Sequence, residues 1–495
     1  MLQSIYIWIK QNPGTIFKWA LFFCLIYFPI FTDLDVLPLR IWDESRLAES
    51  AYEMNKYGNY LVTHIQGNPE MWSTKPPLMI WLQVFCIKIL GAGVLAIRLP
   101  SAIAAFMTCL LIMRFTIRHF KSFSWGFAAC MVLITSHGYI NMHAARSGDY
   151  DAPLTLFITF YCLAFYTYTV TKNIKYITMT FIGIILAALT KGVGGLLFLP
   201  ALGIFALIKG CIPAILHKKV FYINLCVFLI IVPGYYLLRE HYNPGYLKAV
   251  YENELGGRYF STLEYHEAGF WYYYQNLIDF QFKYWYLLLP VGMVIGLANK
   301  NILIRNFTLF CTLLLVTFFL IISNGKTKLQ WYDVPMYPFM ALIIGGLFPL
   351  VLSLFQKIEN SISLKLFALQ CLVTALIFFQ PYRTILNETY KPDESAWDVQ
   401  FYGIENYLQD AIKGSRNLSN YHLCYSGYFI QDLFYTNILT DKGEKIDITD
   451  QVNFKNGDKI LVCQPEMEDS LVKKYSCSLM EQVKNVKAYR IDSIK

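Results

Sequence analysis

The chain has 495 residues, of which 56% are hydrophobic and only 15% are charged, and its formal net charge is +8. Soluble domains carry about 25% charged residues, so this composition excludes an ordinary soluble protein and predicts an integral membrane protein with several spans. No basic stripe with interleaved aromatic residues appears, which argues against a nucleic-acid partner. The positive charge is instead typical of basic inner loops and of attraction to anionic membrane lipids.

Long apolar runs predict about eleven transmembrane helices, because a helix needs roughly 20 apolar residues to cross a bilayer. These runs lie at 16–32, 96–117, 124–142, 152–171, 175–190, 192–208, 220–238, 276–298, 304–322, 335–355 and 364–382. No convincing small-residue cleavage site follows the first run, so we expect it to be retained as a span.

A further apolar run at 76–90 opens with Pro-Pro and is short, which is typical of a segment that lies in the interface. If this run does not cross, the basic connections fall on the same side of the membrane, as the positive-inside rule requires. The extracytoplasmic side then receives loops rich in acidic, histidine and tyrosine residues. These loops are 33–95, 143–153, the turn at Lys191, 239–275 and 324–335.

The composition becomes polar near residue 383, and we divide the chain into a multi-span membrane domain, 1–390, and a soluble extracytoplasmic domain, 391–495. The runs YHLCYSG, DKILVCQP and KAYRIDSI predict short strands in the second domain. The predicted fold class is an all-α polytopic membrane protein with interfacial helices in its first external loop and a small C-terminal α/β domain. Any pair among Cys424, Cys463 and Cys477 is a candidate disulfide, and the sequence does not choose between them.

The first external loop carries Asp43, Glu44 and Arg46 beside a membrane span. Asp43 is either a helix cap or a carboxylate poised at the interface to accept a proton or hold a metal ion. Lys75 precedes the Pro-Pro pair, which keeps the backbone out of a helix at that point. A lysine fixed at the headgroup level suits a lipid phosphate, although simple snorkelling explains it too.

Later external loops add further acids and cations. Asp149 and Asp151 lie two positions apart at the mouth of a span, where one acid would cap a helix and two favour acid–base or metal chemistry. Arg258 follows Gly-Gly, which indicates a tight turn that aims a guanidinium, and that group suits a phosphate. His266 stands near several acids and is either structural or a ligand.

The last such loop, NGKTKLQWYDVP, places Lys328 and Tyr332 at the entrance of a span. External lysines run against the positive-inside trend, which favours a functional role over interface anchoring. Lys191 lies in a Gly-rich turn that allows close helix packing, and it either snorkels or binds anionic lipid.

In this order, the stretches resemble the polyprenyl-phosphate-sugar-dependent glycosyltransferases of the GT-C class. They look most like the group of lipid A 4-amino-4-deoxy-L-arabinose transferases and dolichyl-phosphate-mannose protein mannosyltransferases. The resemblance covers roughly residues 30–350 and implies a GT-C-like fold. Its motifs are DESRLAE from Asp43, KPPL from Lys75, RLPSA at 98–102, DAPLTLF from Asp151, His266 ahead of FWYYY, and KLQWYDVP.

The resemblance implies transfer of a sugar from a polyprenyl-phosphate donor to a hydroxyl of a lipid, glycan or protein acceptor. Cations would stabilise the charge that develops on the lipid phosphate, and a carboxylate would take the acceptor proton. The candidate catalytic residues are Asp43, Asp151 and Glu44. The candidate phosphate-binding residues are Lys75, Arg46, Arg258, Lys328 and Tyr332, with Asp149 and His266 as further candidates.

The donor supplies both the sugar and the energy, so no cofactor is expected to be required, and no Gly-rich phosphate loop appears. This chemistry leaves room for a divalent metal ion, whose ligands are not predicted. The resemblance implies a multi-pass protein of the bacterial inner membrane with an extracytoplasmic active site. The alternative is a multi-span transporter or flippase of polyprenyl-linked or other lipids, which predicts ionisable groups near mid-span, whereas here they cluster at one face.

Overall fold

The computed structural model of this chain describes residues 13–141, 143–262, 266–358, 364–390 and 396–495. The chain divides into two compact units. The bundle unit comprises the residues through Asp33, Thr74–Met79 and Pro100–Tyr390, and the loop–tail unit comprises Leu34–Ser73, Ile80–Leu99 and the residues after Tyr390. The predicted boundary at 390/391 coincides with a unit boundary, while most of the first external loop groups with the C-terminal residues.

Seven helical segments among the described residues are long and apolar enough to cross a membrane. They are Gly14–Phe31, Val94–Phe120, Asp151–Thr171, Lys175–Leu196, Lys219–Tyr242, Ile302–Asn324 and Gln330–Leu352. Four shorter apolar helices are Leu78–Leu90, Phe123–Ile134, Leu199–Ile208 and Leu288–Leu297. The predicted class, a largely helical membrane protein, is confirmed, whereas the number of eleven spans stays a prediction.

The other elements of the bundle unit are short or irregular, except the helix Leu364–Tyr390, which has 27 residues. The α-helices are His137–Ile140, Ile212–Leu216, Tyr246–Val250, Tyr272–Asn276, Leu347–Ile358 and Leu364–Tyr390. Two 3-10 segments are Gly192–Leu196 and Gln330–Met336, and two π-helical segments are Tyr251–Phe260 and Leu277–Gln281. The helix Leu78–Leu90 has 13 residues and would extend about 20 Å, which is short of the roughly 30 Å of hydrocarbon in a bilayer.

The glycine-rich turn after Lys191 depends on its glycines. Gly192 has φ +55°, in the left-handed region that glycine adopts without strain. A Cβ on Gly195 would lie 2.4 Å from the backbone carbonyl carbon of Ala187, so only glycine allows the chain to fold back onto its own helix here. The turn therefore fixes Lys191 at the end of its helix.

The C-terminal part of the loop–tail unit is a small α/β domain, as predicted. Its five-stranded sheet has the order β4-β3-β5-β7-β6, in which β3 pairs in parallel with β4 and β5, and the remaining pairs are antiparallel. The strands are β3 Tyr421–Cys424, β4 Ile446–Thr449, β5 Lys459–Val462, β6 Tyr475–Val483 and β7 Val486–Ile494, and the helices are Ala396–Ile412, Ile430–Asp441 and Pro465–Lys474. Cys424, Cys463 and Cys477 are free thiols.

The first external loop contributes a two-stranded hairpin, β1 His64–Ile65 and β2 Asn68–Pro69, and the helix Asp43–Tyr57, here called the loop helix. Two acids in its first turn and Lys56 in its last turn suit the helix dipole. The helix ends at Gly58, whose left-handed backbone lets its N–H donate to the carbonyl of Met54. These local signals explain why a polar segment forms a helix.

Candidate active site

A cavity of about 350 Å³ opens in the bundle unit, and several predicted residues line it. Its charged and polar side chains come from five segments that are distant in sequence, and apolar side chains form much of the remaining wall. The ionisable lining residues are Lys75, Asp151, Lys191, Glu254, Arg258 and Tyr332, with Tyr259 beside them. The apolar lining includes Leu154, Leu197, Phe318, Ile321 and Ile322.

Lys75 is held rigidly at this cavity. The buried hydroxyl of Tyr246 donates to the carbonyl of Thr74 at 2.6 Å, which fixes the backbone just before Lys75. The Lys75 Nζ lies 3.3 Å from Glu254 Oε1 and 5.2 Å from the centroid of the Tyr150 ring. The ammonium group is therefore positioned by one carboxylate and one aromatic face.

Lys191 and Asp151 form a second pair at the cavity. The Lys191 Nζ donates to both carboxylate oxygens of Asp151, at 2.6 and 2.8 Å, and it also lies 5.3 Å from the centroid of the Tyr332 ring. Asp151 is the first residue of its span and is fully buried. A buried carboxylate needs such a partner, because removing an unpaired charge from water is costly.

Arg258 connects to Tyr332 through its side chain. Its Nη1 donates to the Tyr332 hydroxyl at 2.7 Å, and its Nε donates to the carbonyl of Asn253 at 2.9 Å. The prediction of a tight turn at the Gly-Gly pair before Arg258 is wrong, because the segment Tyr251–Phe260 is π-helical and neither glycine has a positive φ. Its wide turns let Arg258 bond to a carbonyl five residues earlier.

Lys328 and His266 lie next to each other but are not among the residues that line the cavity. The Lys328 N–H donates to the carbonyl of His266 at 2.9 Å, and the imidazole of His266 is exposed. Burial lowers the pKa of Lys328, and the nearby Lys326 ammonium lowers it further. The roles predicted for Lys328 and His266 stay predictions.

Asp149 is buried and contacts His143, a residue that the sequence analysis did not single out. The His143 Nδ1 faces the Asp149 carboxylate, and its ring stacks on Trp331 with centroids 3.5 Å apart. Asp149 also accepts the N–H of Tyr150 at 2.6 Å. The pair offers one nitrogen and one oxygen ligand atom to a divalent ion, if one binds.

In the loop–tail unit, Glu44 is engaged by Arg98, the arginine of RLPSA. Arg98 Nε and Nη2 donate to the two Glu44 oxygens at 2.8 and 2.9 Å, and the Arg98 guanidinium also donates to three loop carbonyls between residues 34 and 38. Glu44 further accepts the N–H of Arg40 at 2.7 Å. This geometry fits a Glu44 that organises the loop, and its predicted catalytic role is untested.

Three other ionisable residues of the loop helix have distinct surroundings. Arg46 pairs with Glu70 at 2.6 Å, and Asp43 is half-buried in the first turn. Burial, aided by the Glu53 carboxylate, raises the pKa of Glu49 to about 8, while a 2.7 Å hydrogen bond from Asn437 opposes that rise. Glu49 is therefore largely protonated at neutral pH, unlike an ordinary glutamate.

The bundle unit thus brings Lys75, Asp151, Arg258 and Tyr332 to one cavity, as the sequence pattern suggested. Sequence reasoning had noted Lys191 only as a lipid-facing residue and had given no role to Asp333. Asp333 is fully buried and forms no ion pair among the residues described. The Gly-rich turn was the available signal for Lys191, whereas nothing in the sequence singled out Asp333.

Comparison with known proteins shows what the chain is similar to, and it leaves the roles of individual site residues as predictions. A family model described as dolichyl-phosphate-mannose-protein mannosyltransferase matches residues 74–236, which include Lys75, Asp151 and Lys191. An uncharacterized protein of Aquifex aeolicus is 26% identical over 313 residues, which is 63% of this chain and 68% of that protein.

Two named relatives are undecaprenyl phosphate-alpha-4-amino-4-deoxy-L-arabinose arabinosyl transferases. The Proteus mirabilis protein is 25% identical over 66% of this chain and 59% of its own length, and the Pectobacterium carotovorum protein is 24% identical over 78% and 71%. The crystal structure of ArnT from Cupriavidus metallidurans bound to undecaprenyl phosphate superposes with a TM-score of 0.67 at 15% identity, over 97% of this chain and 98% of that one. The family model and these relatives support a membrane glycosyltransferase of the GT-C class, and the ArnT structure shares its fold.

Proposed function

We propose that this chain transfers a sugar from a polyprenyl-phosphate donor to a hydroxyl of a lipid acceptor. The observation that carries the proposal is the cavity of the bundle unit. Its lining has three cations, Lys75, Lys191 and Arg258, against two carboxylates, and its remaining wall is apolar. An amphiphile with a phosphate head and an isoprenoid tail matches both properties. The names of the curated relatives and the lipid bound to ArnT support the same donor class.

In this reaction the acceptor oxygen forms a bond to the anomeric carbon of the sugar, and the bond from that carbon to the phosphate oxygen breaks. The lipid phosphate leaves with the electron pair and gains negative charge. Lys75 and Arg258 stabilise that charge, because preorganised cations are most effective where charge develops in the transition state. The Tyr332 hydroxyl, held by Arg258 at 2.7 Å, is a further donor.

The acceptor hydroxyl must lose a proton to a carboxylate as it attacks. We assign this role to Asp43 first and to Asp151 second, and the 2.6 Å ion pair between Lys191 and Asp151 suits Asp151 for positioning. Asp151 then positions Lys191 or the sugar. Glu44, Arg46, Lys328, Asp149 and His266 remain candidates of lower rank.

The proposal places the reaction on the extracytoplasmic face of the inner membrane and requires no cofactor. A chelator such as EDTA is expected to leave the initial rate unchanged. If EDTA lowered the rate and zinc or magnesium restored it, this part of the proposal would be contradicted. His143 and Asp149 would then be the first ligands to test.

The test uses the purified full chain in nanodiscs with a panel of undecaprenyl-phosphate sugars and lipid A as acceptor, followed by mass spectrometry of both lipids. The wild type is expected to release undecaprenyl phosphate and to add the sugar to the acceptor. Lys75→Ala is expected to lower kcat/KM by about 100-fold, as loss of a transition-state cation does. Lys300→Ala is the matched control, since Lys300 is exposed and is not a lining residue of the cavity.

Failure of the wild type to consume any member of the panel would reject the transferase proposal. If the donor were consumed but the sugar appeared only on a peptide or glycan, the proposal of a lipid acceptor would be wrong. Equal rates for Lys75→Ala and the control would remove Lys75 from the phosphate site.

A further inference from the structure

Three tyrosines of the C-terminal domain hold the backbone that leads into the loop helix. The N–H of Leu39 donates to the Tyr435 hydroxyl at 2.9 Å, and the N–H of Ile41 donates to the Tyr402 hydroxyl at 3.4 Å. These bonds satisfy backbone groups of an irregular segment that has no strand or helix partner of its own. The segment just before the catalytic candidate Asp43 therefore takes its conformation from a domain about 360 residues further along the chain.

The third tyrosine, Tyr428, acts on the residue directly before Asp43. Its hydroxyl donates to the carbonyl of Trp42 at 3.1 Å and lies 3.0 Å from Ser45 Oγ. Its ring also packs against the Trp42 indole, with centroids 4.4 Å apart, and faces the Arg46 guanidinium at 5.7 Å. One side chain thus contacts three residues of the first turn that flank Asp43.

Trp42 needs an external support of this kind. Its backbone has φ +67° and ψ −110°, a conformation that a bulky residue rarely adopts. Strained backbones of this type persist only where surrounding contacts determine them. Trp42 forms no side-chain cap hydrogen bond itself, and two hydroxyls hold its carbonyl instead, Tyr428 at 3.1 Å and Ser45 at 3.0 Å. The ring of Tyr428 also packs on the Trp42 indole.

Contacts from the same domain continue along the loop helix. The Asn437 amide donates to Glu49 at 2.7 Å, and Asp441 accepts from Lys56 at 2.8 Å and from the Tyr52 hydroxyl. Both Asn437 and Asp441 belong to the helix region that carries Tyr435. The domain therefore holds the loop helix at its start, its middle and its end.

We propose that the C-terminal domain positions the catalytic base, with Tyr428 as the positioning residue that sets the backbone of Trp42 and so the direction of the Asp43 carboxylate. This inference rests on the proposed function, because it takes Asp43 as the base. Tyr428 touches no reacting atom in this scheme and acts only through its contacts with Trp42, Ser45 and Arg46.

The decisive variant is Tyr428→Phe, which removes the hydroxyl and keeps the ring. We expect kcat to fall roughly tenfold, the rate equivalent of one buried hydrogen bond of about 1.4 kcal/mol. The KM for the donor is expected to stay unchanged, since the phosphate site belongs to the bundle unit. Tyr489→Phe is the matched control, because that hydroxyl bonds Glu468 at 2.6 Å inside the same domain and does not contact the loop.

A double-mutant cycle separates positioning from general destabilisation. In the Asp43→Asn background, Tyr428→Phe is expected to change the residual kcat by less than about twofold, because the group it directs is gone. An equal tenfold loss in both backgrounds would show that Tyr428 acts on overall structure and would overturn the proposal.

Hydrogen–deuterium exchange of the full chain provides a readout that does not need activity. The peptide covering residues 39–46 is expected to exchange several-fold faster in Tyr428→Phe than in the wild type or Tyr489→Phe. Unchanged exchange would reject the proposal even if kcat fell. If the wild type consumed no polyprenyl-phosphate sugar, the proposed function would fail, while this comparison would still decide whether Tyr428 fixes the loop.

Discussion

The two units fix their charged groups in different ways. In the bundle unit, each carboxylate that lines the cavity faces a lysine, as Asp151 faces Lys191 and Glu254 faces Lys75. The loop–tail unit also contains ion pairs, such as Glu44 with Arg98, but tyrosine hydroxyls hold the backbone directly before Asp43. The same unit contains Glu405 and Asp432, whose carboxylates are fully buried and form no ion pair among the described residues.

This difference corresponds to what each region must do. A phosphate site needs cations that are held in place and stay charged, and a nearby carboxylate achieves both. A general base must have its carboxylate aimed at the acceptor hydroxyl, and that aim depends on the backbone that carries the side chain. Buried acids without a cation serve neither purpose, and burial raises the pKa of Glu405 to about 8, so such groups are largely neutral near pH 7.

The largest expected effect comes from the loop–tail side of this comparison. Asp43→Asn keeps the size of the side chain but cannot accept the acceptor proton. We expect kcat to fall about 1000-fold, within the range for loss of a general base, with little change in donor KM. Steady-state kinetics against Asp469→Asn, an exposed aspartate of the C-terminal domain, provides the control. A fall of less than tenfold would transfer the role to Asp151.

The bundle side is tested by Arg258→Lys, which retains the charge. A lysine cannot bond Tyr332 and Asn253 at once, so we expect kcat/KM for the donor to fall roughly 30-fold, mostly through kcat, because the guanidinium acts on charge that develops in the transition state. Arg416→Lys, in the C-terminal domain, is the matched control. If neither kcat nor donor KM changed, Arg258 would serve structure rather than the phosphate.

A smaller effect is expected from the glycine turn that fixes Lys191. In Gly195→Ala the new Cβ would meet the Ala187 backbone at 2.4 Å, which forces the turn to move. Overpacking of this kind costs about 1–3 kcal/mol, and we expect a lower melting temperature together with weaker donor binding. Gly203→Ala, whose Cβ would meet nothing within 4 Å, should leave both unchanged. Similar results for the two variants would show that the turn tolerates a side chain.

The smallest effect concerns the pH dependence of stability. Between pH 4.5 and about 8 the folded chain keeps a proton on Glu49 that the unfolded chain releases, so the free energy of unfolding falls as pH rises through this window. Glu49→Gln is expected to flatten this slope and leave the slope due to Glu405. Thermal melts measure this slope, and we expect the melting temperature of the wild type to fall by roughly 5 °C between pH 5 and pH 8. A slope that persists unchanged in Glu49→Gln would show that Glu49 is ionised when folded.

The membrane class, the α/β tail and four of the six ionisable cavity residues named above could be predicted from the sequence, since these follow from apolar runs and local motifs. Lys75 and Tyr332 each lie in a distinctive stretch. The pairs that complete the site could not be predicted, because Lys191 and Asp151 are 40 positions apart, and Tyr428 and Trp42 are 386 positions apart. Long-range contacts of this kind leave no periodicity in the chain. The β4 and β6 strands were missed: β4 alternates but has only four residues, and the alternation at the start of β6 is not continued by its polar second half.

The 386 positions between Trp42 and Tyr428 also set an order of events during synthesis. The first loop leaves the ribosome long before its tyrosines exist, and nascent chains emerge at about 5–20 residues per second. The loop therefore waits on the order of tens of seconds with Trp42 unsupported. A chain that stops before the last hundred residues would carry every lysine of the phosphate site and still lack the conformation that its first loop needs.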